Sequence, residues 1–149
     1  IWVNRGSGLR KRLGASDKPQ MCDMTNANIL LIHKSVVDKI GRFSKSYQHG
    51  YADYDYSIRA RKKGLPVLIT ANFCGICDND HTDFNEQAKL IINMSLKKRW
   101  KYFQHPVHSS SDYLRFIWNT SPSRYLMVWV GRMLNLLFPR FYYKLNEKR

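Results

Sequence analysis

The chain has 149 residues, 44% of them hydrophobic, which allows one domain with a hydrophobic core and excludes a disordered protein. It carries 25 basic and 11 acidic residues, and the net charge of +14 predicts an anionic partner: a nucleic acid, a phosphate-bearing substrate or an acidic lipid surface. Its odd number of cysteines, three, disfavours a full disulfide framework and indicates a reducing compartment.

The first third of the chain predicts few regular elements. The sequence does not begin with methionine and shows no basic-then-apolar leader, so we expect it to be part of a longer protein. Residues 1–20 hold three glycines and one proline without a sustained period, which predicts a loop or an ill-ordered entry segment. Residues 29–32 are an apolar run typical of a buried strand, and residues 36–40 predict a helix that Ser35 caps and Gly41 ends.

Residues 50–64 predict a loop followed by a short basic helix, with Asp53 on the first turn of that helix. Gly64 and Pro66 end the helix, because glycine favours the position after a helix and proline cannot continue one. Residues 67–71 are apolar and partly β-branched, a composition typical of a buried strand.

The second half of the chain predicts mainly helices. Residues 84–103 form the longest helical pattern, another helix is expected from Ser111 to Trp118, and Pro122 begins a last one. The apolar part of this last helix falls short of the ~20 residues that a membrane span requires. Two interpretations of residues 122–144 stay open: an amphipathic helix in the membrane interface, and a helix packed on the core or on a partner.

Asp53 is the leading candidate for chemistry. Backbone N–H groups and the helix dipole stabilise the ionised form of a carboxylate on the first turn of a helix. Such a carboxylate can accept a proton from a substrate hydroxyl. The alternative is that Asp53 only caps the helix, which is the commoner role of an acidic residue at such a position.

Other polar residues have weaker patterns. Asp55 lies four residues before Arg59, the spacing of an ion pair on a helix surface. His81 follows a strand and an acidic turn, a position typical of a metal or phosphate contact, although a lone histidine is more often structural. Cys74 and Cys77 add two possible zinc ligands to His81, but a fourth ligand would be distant in sequence, so buried thiols are favoured over zinc.

A nucleic-acid interface has partial support. Basic residues alternate with Trp100, Tyr102 and Phe103, which could stack on bases. No helix-turn-helix, zinc-finger or RNA-recognition signature accompanies them. We expect these aromatic positions to form the core face of a helix, and nucleic acid is the disfavoured partner.

Four pieces of the chain follow one another in an order found in a known family: Asn26 to Lys34, Lys39 to Phe43, Gly50 to Gly64, and His81. Together they resemble the C-terminal half of a family 2 glycosyltransferase of the GT-A fold. In that family a strand precedes a helix with the pattern kiG-x-F and then a helix with the pattern ED-x-D-x-x-x-R, which ends at a glycine. The likeness covers residues 21–82, whereas residues 83–149 correspond only loosely to the family's variable C-terminal helices.

The resemblance implies an α/β fold with few strands and C-terminal helices, whose N-terminal nucleotide-binding half is absent from this sequence. It implies that residues 1–82 are the acceptor-side portion and that residues 83–149 are a helical extension. It assigns Asp53 as the base that deprotonates an acceptor hydroxyl. The other expected site residues are Tyr51, Asp55 and Arg59 for the substrate and His81 for a metal ion.

The function implied by the resemblance is that of an inverting glycosyltransferase, which moves a sugar from a nucleotide-sugar donor to an acceptor hydroxyl with Mg²⁺ or Mn²⁺. The expected acceptor is a glycan or lipid-linked intermediate of bacterial cell-surface polysaccharide synthesis. The expected location is the cytoplasm or the inner face of the cell membrane, contacted through residues 122–144. Without its donor half the chain is not expected to turn over, and Ala52 replaces the family's glutamate, so acceptor binding is expected to differ. The alternatives are a basic nucleic-acid-binding module and a non-catalytic transferase-like scaffold.

Overall fold

The computed structural model describes residues 2–4, 10–14, 16–26, 28–72, 75, 84–108 and 110–146. It is 61% helical with small two-stranded sheets, a composition compatible with the α/β class. The chain divides into two compact units, Ile1–Asp78 and Asn79–Arg149. Within the described ranges, no helix is long and apolar enough to cross a membrane.

The strands of the first unit are short and antiparallel. β1 (Trp2–Asn4) pairs with β2 (Arg10–Arg12), with Val3 opposite Lys11. β3 (Gln20–Met21) pairs with β4 (Leu68–Ile69), with Met21 opposite Leu68. The prediction of a loop over residues 1–20 is therefore wrong at Trp2–Asn4, at Arg10–Arg12 and at Gln20. Strands of two or three residues are too short to show the alternating pattern by which a strand is recognised in sequence.

The apolar run at residues 29–32 is not a strand, so that prediction is wrong as well. Leu31 is 97% exposed, and no strand of the described chain pairs with the run. The chain leads instead into α1 (Lys34–Ile40), whose N-cap is His33: its Nδ1 accepts a hydrogen bond from the Ser35 backbone N–H at 3.3 Å. Ser35 is thus a residue of the first turn and not the cap. A strand requires a partner strand, and a local apolar run cannot supply one.

The core of the first unit contains Cys22, Met24 and Tyr47, together with Tyr56 and Ala60 of α2 (Ala52–Lys62). The backbone N–H of Cys22 donates to the carbonyl of Val67 at 2.9 Å and continues the pairing of β3 with β4. Burial raises the pKa of the Cys22 thiol, which makes this residue a neutral core group. The predicted strand over residues 67–71 is confirmed only at Leu68–Ile69, and because Leu68 is exposed the strand lies at the surface.

Gly41 ends α1 with φ 76° and ψ −167°, a conformation that is essentially restricted to glycine. We expect Gly41→Ala to lower the free energy of unfolding by about 1–3 kcal/mol, because the added Cβ strains this backbone. Open space surrounds the Cβ position, so steric contact is not the reason. Gly50→Ala is the matched control, because Gly50 has equally open space and no positive φ. Urea denaturation measures both variants, and equal losses would contradict the prediction.

The second unit is helical. The single helix predicted over residues 84–103 is interrupted, because Ser95 is extended and its Oγ accepts from the Lys98 backbone N–H at 3.4 Å, which starts a new helix. Single turns of 3₁₀ helix lie at Pro106–His108 and Pro122–Arg124. The helices are α3 (Phe84–Asn93), α4 (Leu96–Gln104), α5 (Ser110–Thr120), α6 (Tyr125–Leu137) and α7 (Pro139–Asn146).

One core cluster of the second unit joins α3 and α7 through Ala88, Ile91 and Tyr143. Tyr102 and Phe103 of α4 pack against this cluster, which confirms the prediction that they face the core. Trp100 does not, because its side chain is 53% exposed, and the prediction is wrong for this residue. α4 therefore presents one large aromatic ring among its exposed lysines.

Candidate functional site

The candidate site lies at the start of α2 (Ala52–Lys62), where Tyr51 is the N-cap residue. Tyr51 adopts the left-handed conformation, with φ 69° and ψ −5°, and its carbonyl accepts the Asp55 backbone N–H at 2.9 Å. Its side chain makes no capping hydrogen bond to the helix. A non-glycine residue pays roughly 1–2 kcal/mol for a left-handed conformation. Such strain is found most often at functional sites, so the conformation of Tyr51 favours a functional role for this turn.

Asp53 lies on the first turn of α2, as predicted. Its side chain is half-buried, and its Oδ1 accepts a hydrogen bond from the Tyr54 backbone N–H at 2.8 Å. This bond satisfies one of the N–H groups that a helix start leaves without an intrahelical acceptor. A carboxylate offers about four lone-pair positions on its two oxygens, so capping the helix and accepting a proton are compatible roles for one side chain.

Side-chain hydrogen bonds tie α2 to the segment around residues 23–25. Ser57 Oγ lies 3.3 Å from the Thr25 backbone N–H, which donates to it, and the same hydroxyl donates to the Asp53 carbonyl at 2.8 Å. Arg61 Nε donates to Asp23 Oδ1 at 3.2 Å. These bonds join residues more than 30 positions apart in sequence. They hold the turn that carries Asp53 against the core of the first unit.

Arg59 fastens α2 to the end of α1. Its Nε donates to Asp55 Oδ2 at 3.0 Å, its Nη1 to the Ile40 carbonyl at 2.9 Å and its Nη2 to the Arg42 carbonyl at 3.0 Å. The guanidinium also lies 5.0 Å from the ring centre of Tyr56. The predicted pairing of Asp55 with Arg59 is confirmed, but Asp55 is only 5% exposed, so the pair is not a surface one.

These contacts give Asp55 and Arg59 a structural role that requires no ligand. All three nitrogens of the Arg59 guanidinium already donate to protein oxygens. Their assignment to substrate binding remains a prediction, as does that of Tyr51. The structure brings Tyr51, Asp53 and Asp55 onto the same turn, whereas His81 lies outside the described residues.

The described residues do not fit a Mg²⁺ or Mn²⁺ site. Asp53 and Asp55 are two positions apart on a helix, so their carboxylates point in different directions, and Asp55 is held by Arg59. Across the described part of the chain, no group of three or more histidine, cysteine, aspartate or glutamate side chains could hold a metal ion. Cys74, Cys77 and His81 lie outside that part.

No family model matches the chain, and no curated protein or solved structure matches it. The resemblance to family 2 glycosyltransferases therefore remains a prediction that depends on the order and spacing of the four sequence pieces.

Two features of the site were not predicted from the sequence: the left-handed conformation of Tyr51 and the hydrogen bonds of Arg59 to the end of α1. Gly50 stands one residue before the left-handed position, so a glycine pattern would have placed positive φ at the wrong residue. The spacing of Asp55 and Arg59 predicts their ion pair but not the two carbonyl acceptors, which lie 17 and 19 residues away. No local sequence signal indicates contacts at that separation.

Replacing Tyr51 tests whether its backbone is strained. We expect Tyr51→Gly to be more stable than Tyr51→Ala by about 1 kcal/mol, because only glycine adopts φ 69° without a steric cost. Both variants lack the tyrosine ring, so their difference isolates the backbone effect. Urea denaturation of the two proteins measures it. An alanine variant as stable as the glycine variant would show that the turn relaxes and that Tyr51 is not strained.

Proposed function

We propose that this chain is the acceptor-side portion of an inverting glycosyltransferase, with Asp53 as the general base. The observation that carries the proposal is a half-buried carboxylate on the first turn of α2, directly after the left-handed Tyr51. The ordered likeness of residues 21–82 to family 2 enzymes supports the same assignment. The acceptor is proposed to be a glycan or a lipid-linked sugar of a cell-surface polysaccharide.

In the proposed reaction the acceptor hydroxyl gives its proton to Asp53 while its oxygen attacks the anomeric carbon of the donor sugar. The new carbon–oxygen bond forms as the bond to the donor phosphate breaks, and the nucleoside diphosphate leaves with the bonding electrons. Attack from the face opposite the leaving group inverts the configuration at the anomeric carbon.

The surrounding contacts support this role for Asp53 by holding it in place. Tyr54 donates its backbone N–H to Oδ1, and Ser57 binds the Asp53 carbonyl from one turn further along. A base must lie within hydrogen-bond distance of the proton it removes, and a small misplacement is costly in rate. The bonds of Arg59 to the end of α1 restrict movement of the same helix.

In the proposed enzyme the nucleotide-sugar donor binds to a second half of the polypeptide, which precedes this chain. A divalent metal is proposed to act there on the donor diphosphate, and we assign no described residue to it. Transfer is therefore expected from a polypeptide that contains both halves. The test is an assay of sugar transfer from labelled nucleotide sugars by such a polypeptide and by its Asp53→Asn variant; unchanged transfer by the variant would reject the assignment.

A second candidate function, nucleic-acid binding, is favoured by one observation on α4. Trp100 is exposed and lies among the exposed side chains of Lys97, Lys98 and Lys101. An exposed ring between cations suits stacking on a base beside a phosphate backbone. Binding with a steep salt dependence and no requirement for a nucleotide sugar would favour this function over sugar transfer.

A further inference from the structure

α6 carries an exposed apolar stripe along one face. The stripe consists of Leu126, Val130, Met133 and Leu137, whose spacings of four, three and four residues place them on one side of the helix. Leu126 is 69% exposed, Val130 and Leu137 are also exposed, and Met133 is half-buried. A helix at the surface of a water-soluble protein normally turns such a stripe toward the core.

Two polar side chains lie away from the stripe on α6. Asn135 is buried, and its Oδ1 has no hydrogen-bond partner among the described residues. Burial raises the pKa of Tyr143 in the core cluster, and a hydrogen bond from the Asn135 side chain offsets part of that rise. Arg132, three residues earlier, is half-buried with its guanidinium 5.0 Å from the ring centre of Tyr113. α6 therefore buries the polar Asn135 next to the apolar Leu136 and leaves the apolar stripe on its outer side.

Further exposed apolar side chains follow α6 in the sequence. Phe138 is 61% exposed, and Phe141 and Leu145 form an exposed pair four residues apart on α7. Beside this pair, Arg140 and Lys144 are exposed at the same spacing. α7 thus presents apolar and basic side chains next to each other, an arrangement typical of helices that lie on acidic lipid surfaces.

Charge selects the occupant of this surface. Residues 113–146 contain five basic residues and no acidic one. A second copy of the chain would bring the same positive charge to the interface and be repelled. An anionic bilayer attracts it, since each basic residue near such a surface strengthens binding by roughly fivefold. Trp118 and Trp129 are exposed as well, and tryptophan is enriched at the membrane–water boundary.

We infer that the unit Asn79–Arg149 docks on an anionic membrane surface through the stripe of α6 and the exposed side of α7. The apolar side chains enter the boundary between headgroups and acyl chains, and Arg140 and Lys144 bind lipid phosphates. The helices lie in the surface and do not cross the bilayer. The inference is independent of the proposed transfer reaction, because none of these residues belongs to the candidate site.

Co-sedimentation with lipid vesicles tests the docking. The 149-residue chain is expected to bind phosphatidylcholine vesicles that contain phosphatidylglycerol at least about tenfold more tightly than phosphatidylcholine alone. Changing Leu126, Val130 and Leu137 to Ser is expected to weaken binding about tenfold or more, because inserted apolar area is lost. Changing Arg140 and Lys144 to Gln is expected to weaken binding roughly 25-fold to the anionic vesicles alone.

The matched control changes three exposed apolar residues of the first unit, Ile29, Leu31 and Leu68, to Ser and is expected to bind as the unchanged chain does. Circular dichroism checks the helix content of each variant. If the triple variant of α6 loses helix, Leu126→Ser replaces it as the test. Binding that is insensitive to anionic lipid, or an equal loss in the control, would overturn the docking. A concentration-dependent dimer that the α6 change abolishes, without vesicle binding, would overturn it in favour of self-association.

Discussion

Replacing Asp53 with Asn is expected to lower the kcat of sugar transfer by about 10²- to 10⁴-fold, the usual contribution of a general base. Asparagine has nearly the same shape, and its side-chain oxygen can still accept the Tyr54 N–H, so the helix start is kept. What it lacks is the negative charge that takes the acceptor proton. Donor binding, measured separately, is expected to be unchanged.

The control for this variant is Asp38→Asn, which removes a carboxylate from an exposed position of α1. It is expected to leave transfer and stability close to those of the unchanged protein. If Asp53→Asn retained full transfer, Asp53 would be only a capping residue. A parallel loss of stability and donor binding would also count against the base, because it would show that the carboxylate acts through the fold.

Replacing Arg59 with Ala is expected to reduce the stability of α2 against α1 by about 2–4 kcal/mol. The change removes three hydrogen bonds at 2.9–3.0 Å and leaves the buried Asp55 carboxylate without its cation. Burial of a charge has a desolvation cost, and after the partner is removed no ion pair offsets that cost. Amide hydrogen exchange over α1 and α2 measures the effect locally, which suits a chain of two compact units.

Arg61→Ala is the matched control on the same helix. Arg61 also donates through Nε to an aspartate, Asp23. This pair is more exposed than the pair of Arg59 with Asp55, because the Arg61 side chain is 36% exposed and the Asp23 side chain 26%. Its loss is expected to cost less than about 1 kcal/mol. Equal costs for the two substitutions would show that the carbonyl bonds of Arg59 contribute nothing. The loss of stability in Arg59→Lys is expected to lie between the losses in Arg59→Ala and Arg61→Ala. A lysine ammonium group keeps the positive charge but cannot reach three separate acceptors as the guanidinium does.

The candidate site was predictable to the extent that its features are local. The placement of Asp53 on the first turn follows from the basic helix and its glycine end, and the Asp55–Arg59 pair follows from a spacing of four residues. The strain at Tyr51 was not predictable. The sequence places a glycine at position 50, where a left-handed conformation would cost nothing, but the left-handed residue is Tyr51. The start of the turn is set by the bonds that hold α2 to distant parts of the unit.

The fold shows the same division. Gly41 and Pro122 mark a helix end and the start of a helical turn in sequence and in structure. Residues 29–32 have the composition of a strand but lack a partner within the described chain. The break at Ser95 was not predictable, because this residue also falls on the apolar face of one long helix. The hydrogen bond from the Lys98 backbone N–H to the Ser95 side chain shows that two helices form instead of one.

By itself, the amino-acid sequence determined the C-terminal ends of α1 and α2, the position of Asp53 and the spacing of the first ion pair. Each depends on backbone groups and side chains within about one helical turn of one another. Only the tertiary structure decided that Asp55 is buried, that Arg59 reaches the end of α1, and that α6 turns its apolar stripe outward. Burial depends on which distant segments pack together, and an apolar stripe has the same sequence pattern whether it faces a core or a surface.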